Sequence, residues 1–223
     1  MTTDRRVAGV GGIAFAVSLV AGFSLFGPNG GHYAAAAIAT FVAQSATSLI
    51  AAVYLFVASI VGLIVLMAYL CRTSFGAGRH DRIAWGTSLL AVAAFLLGWG
   101  LYLAPSTSVM AGGPAIDPAI SHTFISAGFV VLFGVGGIAL GIALVTVAVG
   151  GGATPMWFRS FSGLTGFFAL LSWAFVLATR WSPNQWLPVP FYFVVLWGFV
   201  TGVWLLASAP TADARATVER DPK

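Results

Sequence analysis

The 223-residue chain is 59% apolar and only 7% charged, with a net charge of +4 at neutral pH. A soluble domain carries roughly 45–50% apolar and about 25% charged residues, so this chain lacks the material for a water-facing surface. Its positive charge comes from scattered Arg residues rather than a basic helix interleaved with aromatics, which argues against nucleic acid as a partner.

The pattern predicts an all-α, polytopic transmembrane helical bundle of six spans, with the lipid bilayer as its solvent. Arg5-Arg6 precede a first span over 7–26 that stops at Gly27-Pro28. No small-residue cleavage site followed by a soluble domain stands out, so this span is expected to be retained. From Val7 to Leu70 there is no Asp, Glu, Lys or Arg. As one helix, His32 to Leu70 would reach about 58 Å, too long for a single crossing. Two spans would give seven in all. No Gly or Pro interrupts Tyr33 to Val61 to make a turn, and a seventh span would move the C-terminal Arg and Lys to the other side. The preferred reading is an Ala-rich extension, 33–46, on the outer face, running into a second span at 47–70; 33–46 as part of a further span stays open.

The third span, 83–104, is expected to stop at Pro105. The fourth, 118–149, opens at Asp117-Pro118 and the fifth, 155–179, at Thr154-Pro155. Both starts place a capping side chain before a proline at the first helical position. The sixth span covers 188–208. Residues 1–209 then form one transmembrane domain, and 210–223 a short polar cytoplasmic tail expected to be disordered.

This segmentation sorts the charges. Arg5, Arg6, Arg72, Arg79, Arg82, Arg159, Arg215, Arg220 and Lys223 fall on one side and Arg180 alone on the other. The positive-inside rule puts both termini in the cytoplasm, and the expected location is a bacterial cytoplasmic membrane. The basic loop 72–82 sets topology or meets anionic headgroups. Cys71 is the only cysteine, so no intrachain disulfide can form. Trp99, Tyr102, Trp181 and Trp186 fit an outer aromatic belt, and Trp85 and Trp157 an inner one. Trp173, Trp197 and Trp204 lie deeper and are expected to pack or to face lipid. Gly134, Gly136, Gly137 and Gly141, with Gly198 and Gly202, mark close helix contacts within the bundle or between copies.

The spans carry no Asp, Glu or Lys, and no Arg beyond Arg159 near an inner end. Proton pumps and ion-coupled transporters usually need intramembrane ionisable groups. Schiff-base chemistry is excluded because the only Lys is Lys223, in the tail. No phosphate loop, metal-ligand spacing or Ser-His-Asp order stands out, so neither enzymatic machinery nor a metal or other cofactor is expected. A bis-His haem site would need two His inside spans. Only His122 qualifies, since His32 sits in a loop and His80 on the opposite side.

What remains is an outer polar cluster. His122 and Ser126 are four apart and share a helix face. Gln44, Ser45, Thr47 and Ser48 lie where the second span enters, with Asp117, Arg180, Asn184 and Gln185 nearby. Two readings compete: interfacial residues bonded to water, headgroups and helix ends, or a shallow ligand site built from His122, Ser126, Arg180, Gln44, Ser48 and Asp117. In the second, Arg180 is the anion-binding candidate; in the first it snorkels from a helix end.

Three segments resemble the bacterial membrane proteins of domain-of-unknown-function family 4386. These are Arg5-Arg6-Val-Ala-Gly-Val, the run from Thr154-Pro155-Met-Trp157 to Gly163-Leu-Thr-Gly166, and Trp197-Gly-Phe-Val-Thr-Gly202-Val-Trp204. The resemblance implies a multi-span membrane protein and no particular activity. The expected function is structural, accessory or regulatory, with a membrane protein partner or a homo-oligomer. The alternative is a carrier or binder of a small hydrophobic molecule or lipid, through an outward-facing cavity. An enzyme using haem or His122 as a base ranks last.

Overall fold

A computed structural model describes residues 2–26, 35–75, 79–114, 117–150, 154–178 and 188–208. The expectations for Arg180, Trp181, Trp186 and the tail from 210 lie outside the described residues. The regular elements are α1 (Thr2–Phe26), α2 (Ala35–Phe75), α3 (Arg79–Met110), α4 (Pro118–Phe129), a π-helical segment (Val130–Gly136), α5 (Gly137–Val149), α6 (Met156–Ala178) and α7 (Pro188–Ala207). All of these elements are helical. Five stretches are long and apolar enough to cross a bilayer: Thr3–Leu25, Gln44–Thr73, His80–Met110, Pro118–Val149 and Pro190–Ala207. At 23 residues, α6 is also of spanning length.

The helices close into a ring. Each packs on its sequence neighbour, and α7 returns to α1. Glycines set the closeness of these seams, because two backbones meet where no side chain intervenes. A Cβ on Gly12 of α1 would fall 2.7 Å from the Gly198 carbonyl oxygen of α7, and one on Gly202 would fall 2.7 Å from the Gly9 carbonyl oxygen. Gly128 of α4 meets the Gly98 carbonyl of α3 in the same way, and Gly141 of α5 meets that of Gly166 on α6. The glycine pairs legible in the sequence are therefore used inside the chain. The ring's outer surface is apolar: Val10, Val17, Leu89, Leu90, Leu97, Phe199 and Val203 are exposed. Water would not tolerate that much contiguous apolar surface, whereas lipid does.

One end of the ring gathers basic residues. Arg72, late in α2, pairs with Asp4 of α1 at 3.7 Å, both side chains largely exposed. Arg159 donates from Nε to the Ala148 carbonyl at 2.9 Å and so binds one of the open carbonyls at the end of α5. Arg5 lies over the Trp204 ring, 5.8 Å from its centroid.

Four local features differ from, or add to, the sequence reading. First, α3 does not stop at Pro105 but continues to Met110. The proline removes one backbone donor, and two residues later Thr107 Oγ1 donates to the Ala104 carbonyl at 3.0 Å. The true stop is Gly112, at φ 76°. Gly113 N–H donates to Ser108 O and Gly112 N–H to Val109 O, the paired bonds of a Schellman cap. Second, Thr154 is not a cap: its hydroxyl is buried with no hydrogen-bond partner among the described residues. The first turn of α6 closes from Arg159 N–H to the Pro155 carbonyl, one residue later than a Thr154 cap requires. Asp117 does cap α4, accepting from Ala119 N–H at 2.8 Å. Third, α2 runs unbroken by any turn except for non-helical angles at Ser45 (φ −129°, ψ 15°). Fourth, the fourth span is not a uniform α-helix, since seven residues at its centre are π-helical. The apolar pattern carried no sign of this.

Candidate functional site: an apolar cavity inside the ring

Six spans turn one face inward, and their side chains do not fill the centre. Phe15, Leu19 and Phe23 recur at four-residue spacing and so stand above one another on the inner face of α1. Opposite them come Ser59, Ile60 and Leu63 from α2, Phe95 and Trp99 from α3, and Leu132 and Phe133 from the π-helical segment. Gly137 and Leu140 of α5, Ala169 and Ser172 of α6, and Pro190, Phe191 and Val194 of α7 complete the wall. The free space within amounts to about 60 Å³.

Aromatic rings frame part of this cavity. Trp99 stacks on Phe56 with centroids 3.8 Å apart and planes 13° from parallel. Phe23 presents its edge to Phe56, Trp99 and Phe191 at 5.5, 5.0 and 4.7 Å. The edge-to-face contacts of Phe23 are among the favoured ring geometries. Trp99, expected in an interfacial belt, is instead buried and lines the cavity.

Among the described residues the cavity wall has two hydroxyls, Ser59 and Ser172, both buried. Ser59 Oγ donates to the Phe56 carbonyl at 2.8 Å, one turn back on its own helix. Ser172 Oγ lies 2.6 Å from the Ala169 carbonyl and 2.5 Å from that of Phe133. Phe133 sits within the π-helical turn, where the ordinary i→i−4 ladder is interrupted. Ser172 thus supplies a donor from a neighbouring helix to an irregular stretch of backbone, as irregular membrane backbone requires. Gly137 makes this possible, because a Cβ there would collide with Ser172 Oγ.

A second buried polar group lies between α6 and α7. Trp197 Nε1 donates to Ser162 Oγ at 2.9 Å, both residues being fully buried. Thr165 and Thr201 are equally buried, and their hydroxyls have no partner among the described residues. Trp197 is thus a packing residue with its indole proton satisfied.

None of the described residues of the outer polar cluster lines the cavity. Gln44, His122 and Asp117 are exposed, Asp117 being occupied as a cap. Ser48 is half-buried. Ser126 is half-buried, and its hydroxyl, like that of neighbouring Ser121, is enclosed with no partner among the described residues. Arg180 lies outside the described residues. No group of three or more potential metal-ligating side chains occurs among the described residues.

Sequence reasoning missed Ser59, Ser172 and Trp99. Serines and aromatics in apolar runs are common, and only three-dimensional placement separates the ones that face a void. The usable signal was weak: Ser59 and Ser172 are small polar residues in stretches that are otherwise almost wholly apolar and aromatic. No family model, no curated protein and no solved structure matches this chain.

Proposed function

We propose that this chain is a multi-pass protein of a bacterial cytoplasmic membrane that binds a small, predominantly apolar molecule in the centre of its helical ring. The observation that carries this reading is the cavity itself. Among the described residues its wall is apolar apart from Ser59 and Ser172, and it lies where six spans converge. Ligand sites between bundle helices have this character: concave, mostly apolar, with few polar groups. The cavity favours a binder over the accessory role expected from the sequence. A purely structural bundle gains nothing from a void whose lining forfeits van der Waals contacts. The reading needs no enzymatic step and no cofactor, and the likeness to an uncharacterised family adds no activity to it.

The test is thermal unfolding of the purified protein in detergent, with and without n-nonane, beside a variant whose cavity is filled by Ala169→Leu. A ligand that binds only the folded state raises the transition temperature. Stabilisation of the native protein but not of A169L supports the reading. Equal shifts in both would place the effect in the micelle and remove it.

A further inference from the structure

We infer that the cavity takes a hydrocarbon chain that reaches it sideways from the bilayer, between α6 and α7, past the stacked rings of Phe168 and Phe193. This rests on the binding reading above and adds the class of ligand and its route. Successive side chains on a helix point about 100° apart. On α6, Phe167 is exposed, Phe168 is half-buried and Ala169 belongs to the cavity wall. On α7 the same order repeats: Tyr192 is exposed, Phe193 is half-buried and Val194 belongs to the wall. Phe168 and Phe193 stack with centroids 4.3 Å apart and planes 11° from parallel, so both point into the seam between the two helices. Each ring then has an outward-facing neighbour on one side and a cavity-lining neighbour on the other. The pair stands between the lipid and the cavity.

This seam is built differently from those beside it. Gly198 and Gly202 of α7 meet α1, and Gly166 of α6 meets the Gly141 carbonyl of α5. At such contacts backbone rests on backbone, and parting them would displace a whole helix. No described glycine makes such an approach between α6 and α7; at the level of the cavity, rings close the gap. A ring swings aside by rotation about χ1 while its helix stays in place. Phe56 and Trp99 also stack, between α2 and α3, but both are buried and do not reach the lipid face. Depth sets the chemistry of what enters. Phe168 lies about 15 Å from the Ala178 end of α6, and Phe193 about 8 Å from the Pro188 end of α7. At that depth the outside neighbours are acyl chains rather than headgroups. No ionised side chain lines the cavity among the described residues, so a chain moves from one apolar surrounding to another, whereas a charged solute would lose its hydration.

The experiment follows Trp99, which lines the cavity, through heavy-atom quenching of its fluorescence, taken as the difference between each protein and its Trp99→Phe counterpart. Two probes are used in lipid nanodiscs. Phosphatidylcholine with brominated acyl chains cannot arrive through water, and 1-bromononane is a free chain. A169L, its cavity filled, reports the quenching due to surrounding lipid alone. Phe168→Cys and Phe193→Cys, in a Cys71→Ala background, are bridged by a bifunctional methanethiosulfonate before reconstitution and released afterwards with dithiothreitol. Quenching above the A169L level is expected, lost on bridging and restored on release in the same molecules. Such quenching by the brominated lipid assigns the chain to a phospholipid; by 1-bromononane alone, to a free chain. Phe168→Ala, which needs no bridge, should quench about 2- to 10-fold faster after stopped-flow addition of 1-bromononane, the factor that one aromatic stack supplies. Undiminished quenching in the bridged protein, or an unchanged rate in Phe168→Ala, overturns the route between α6 and α7. No quenching above the A169L level with either probe overturns the binding reading itself.

Discussion

The Ser172 hydroxyl crosses from α6 to the Phe133 carbonyl inside the π-helical turn of the fourth span, at 2.5 Å, and passes over a position where Gly137 offers no side chain. These three residues behave as one unit. The π-helical turn displaces backbone polar groups from the regular ladder, the serine satisfies one of them, and the glycine gives the serine room. The same turn brings Leu132 and Phe133 into the cavity wall.

A double-mutant cycle on this unit should be strongly non-additive. Ser172→Ala removes a buried donor and should destabilise by about 1 kcal/mol, between the average of about 0.6 and the maximum of about 1.7 kcal/mol for hydrogen bonds between membrane helices. Gly137→Ala forces a methyl against Ser172 Oγ and should cost about 1–3 kcal/mol, as overpacking does. In the double variant the worst clash goes with the hydroxyl, leaving only tight contacts at 3.2 Å to the Cβ of residue 172 and 3.3 Å to the Ala169 carbonyl. The cost of the double variant should therefore fall below the sum of the singles by about 1 kcal/mol or more. Unfolding in mixed bicelles, followed by circular dichroism, measures all three; simple additivity would mean that the two residues do not touch.

The glycines that close the ring should separate sharply from those that do not. Gly12→Val puts a branched side chain where even a Cβ would lie 2.7 Å from the Gly198 carbonyl oxygen. It should open the seam between α1 and α7, costing about 3 kcal/mol or more, at or beyond the upper end of overpacking penalties. Gly100→Ala meets nothing within 4 Å on an exposed face of α3. It should be neutral or stabilise by up to about 1 kcal/mol through lost backbone entropy. The same unfolding assay reports both, and a large cost for Gly100→Ala would mean that this face is occupied by something other than lipid.

The contrast between those glycines shows what the sequence could and could not reveal. Long uncharged runs bounded by Pro and Arg are enough to identify spanning helices, because the bilayer enforces length and composition one helix at a time. Asp117 was readable as a cap for the same local reason. Pro105 was misleading because a proline forbids only one backbone bond, whereas Gly112, free to adopt a left-handed φ, supplies an actual terminus. The cavity was not legible at all. A void is a failure of six separate faces to meet, and no local pattern encodes it. Ser172 reads in the sequence like Ser24 or Thr87, which simply bond back to the carbonyl four residues earlier.

Between α6 and α7 the Trp197–Ser162 bond provides a third measurement. Ser162→Ala leaves the fully buried indole N–H without its acceptor and should destabilise by about 0.6–1.7 kcal/mol. Trp197→Phe in the Ser162→Ala background removes the orphaned donor. Its further cost should be smaller than that of Trp197→Phe alone, since the shared bond is lost only once. A cycle with no coupling energy would show that the bond does not form in the membrane.

Orientation can be tested independently of stability. Asp4, Arg5, Arg72 and Arg159 gather at one end of the ring, and the positive-inside rule assigns that end to the cytoplasm. Cys71 is the chain's one thiol and is buried, so Cys71→Ala gives a background without accessible thiols. Into it, Thr73→Cys places a thiol at the basic end of α2, and Ala111→Cys places one at the far end of α3, both at exposed positions. A membrane-impermeant maleimide added to intact spheroplasts should label A111C at once and T73C only after the membrane is opened. The reverse pattern would invert the protein in the membrane. Labelling of both from outside would mean that α3 does not cross the bilayer, and the ring with its central cavity could not then be a transmembrane structure.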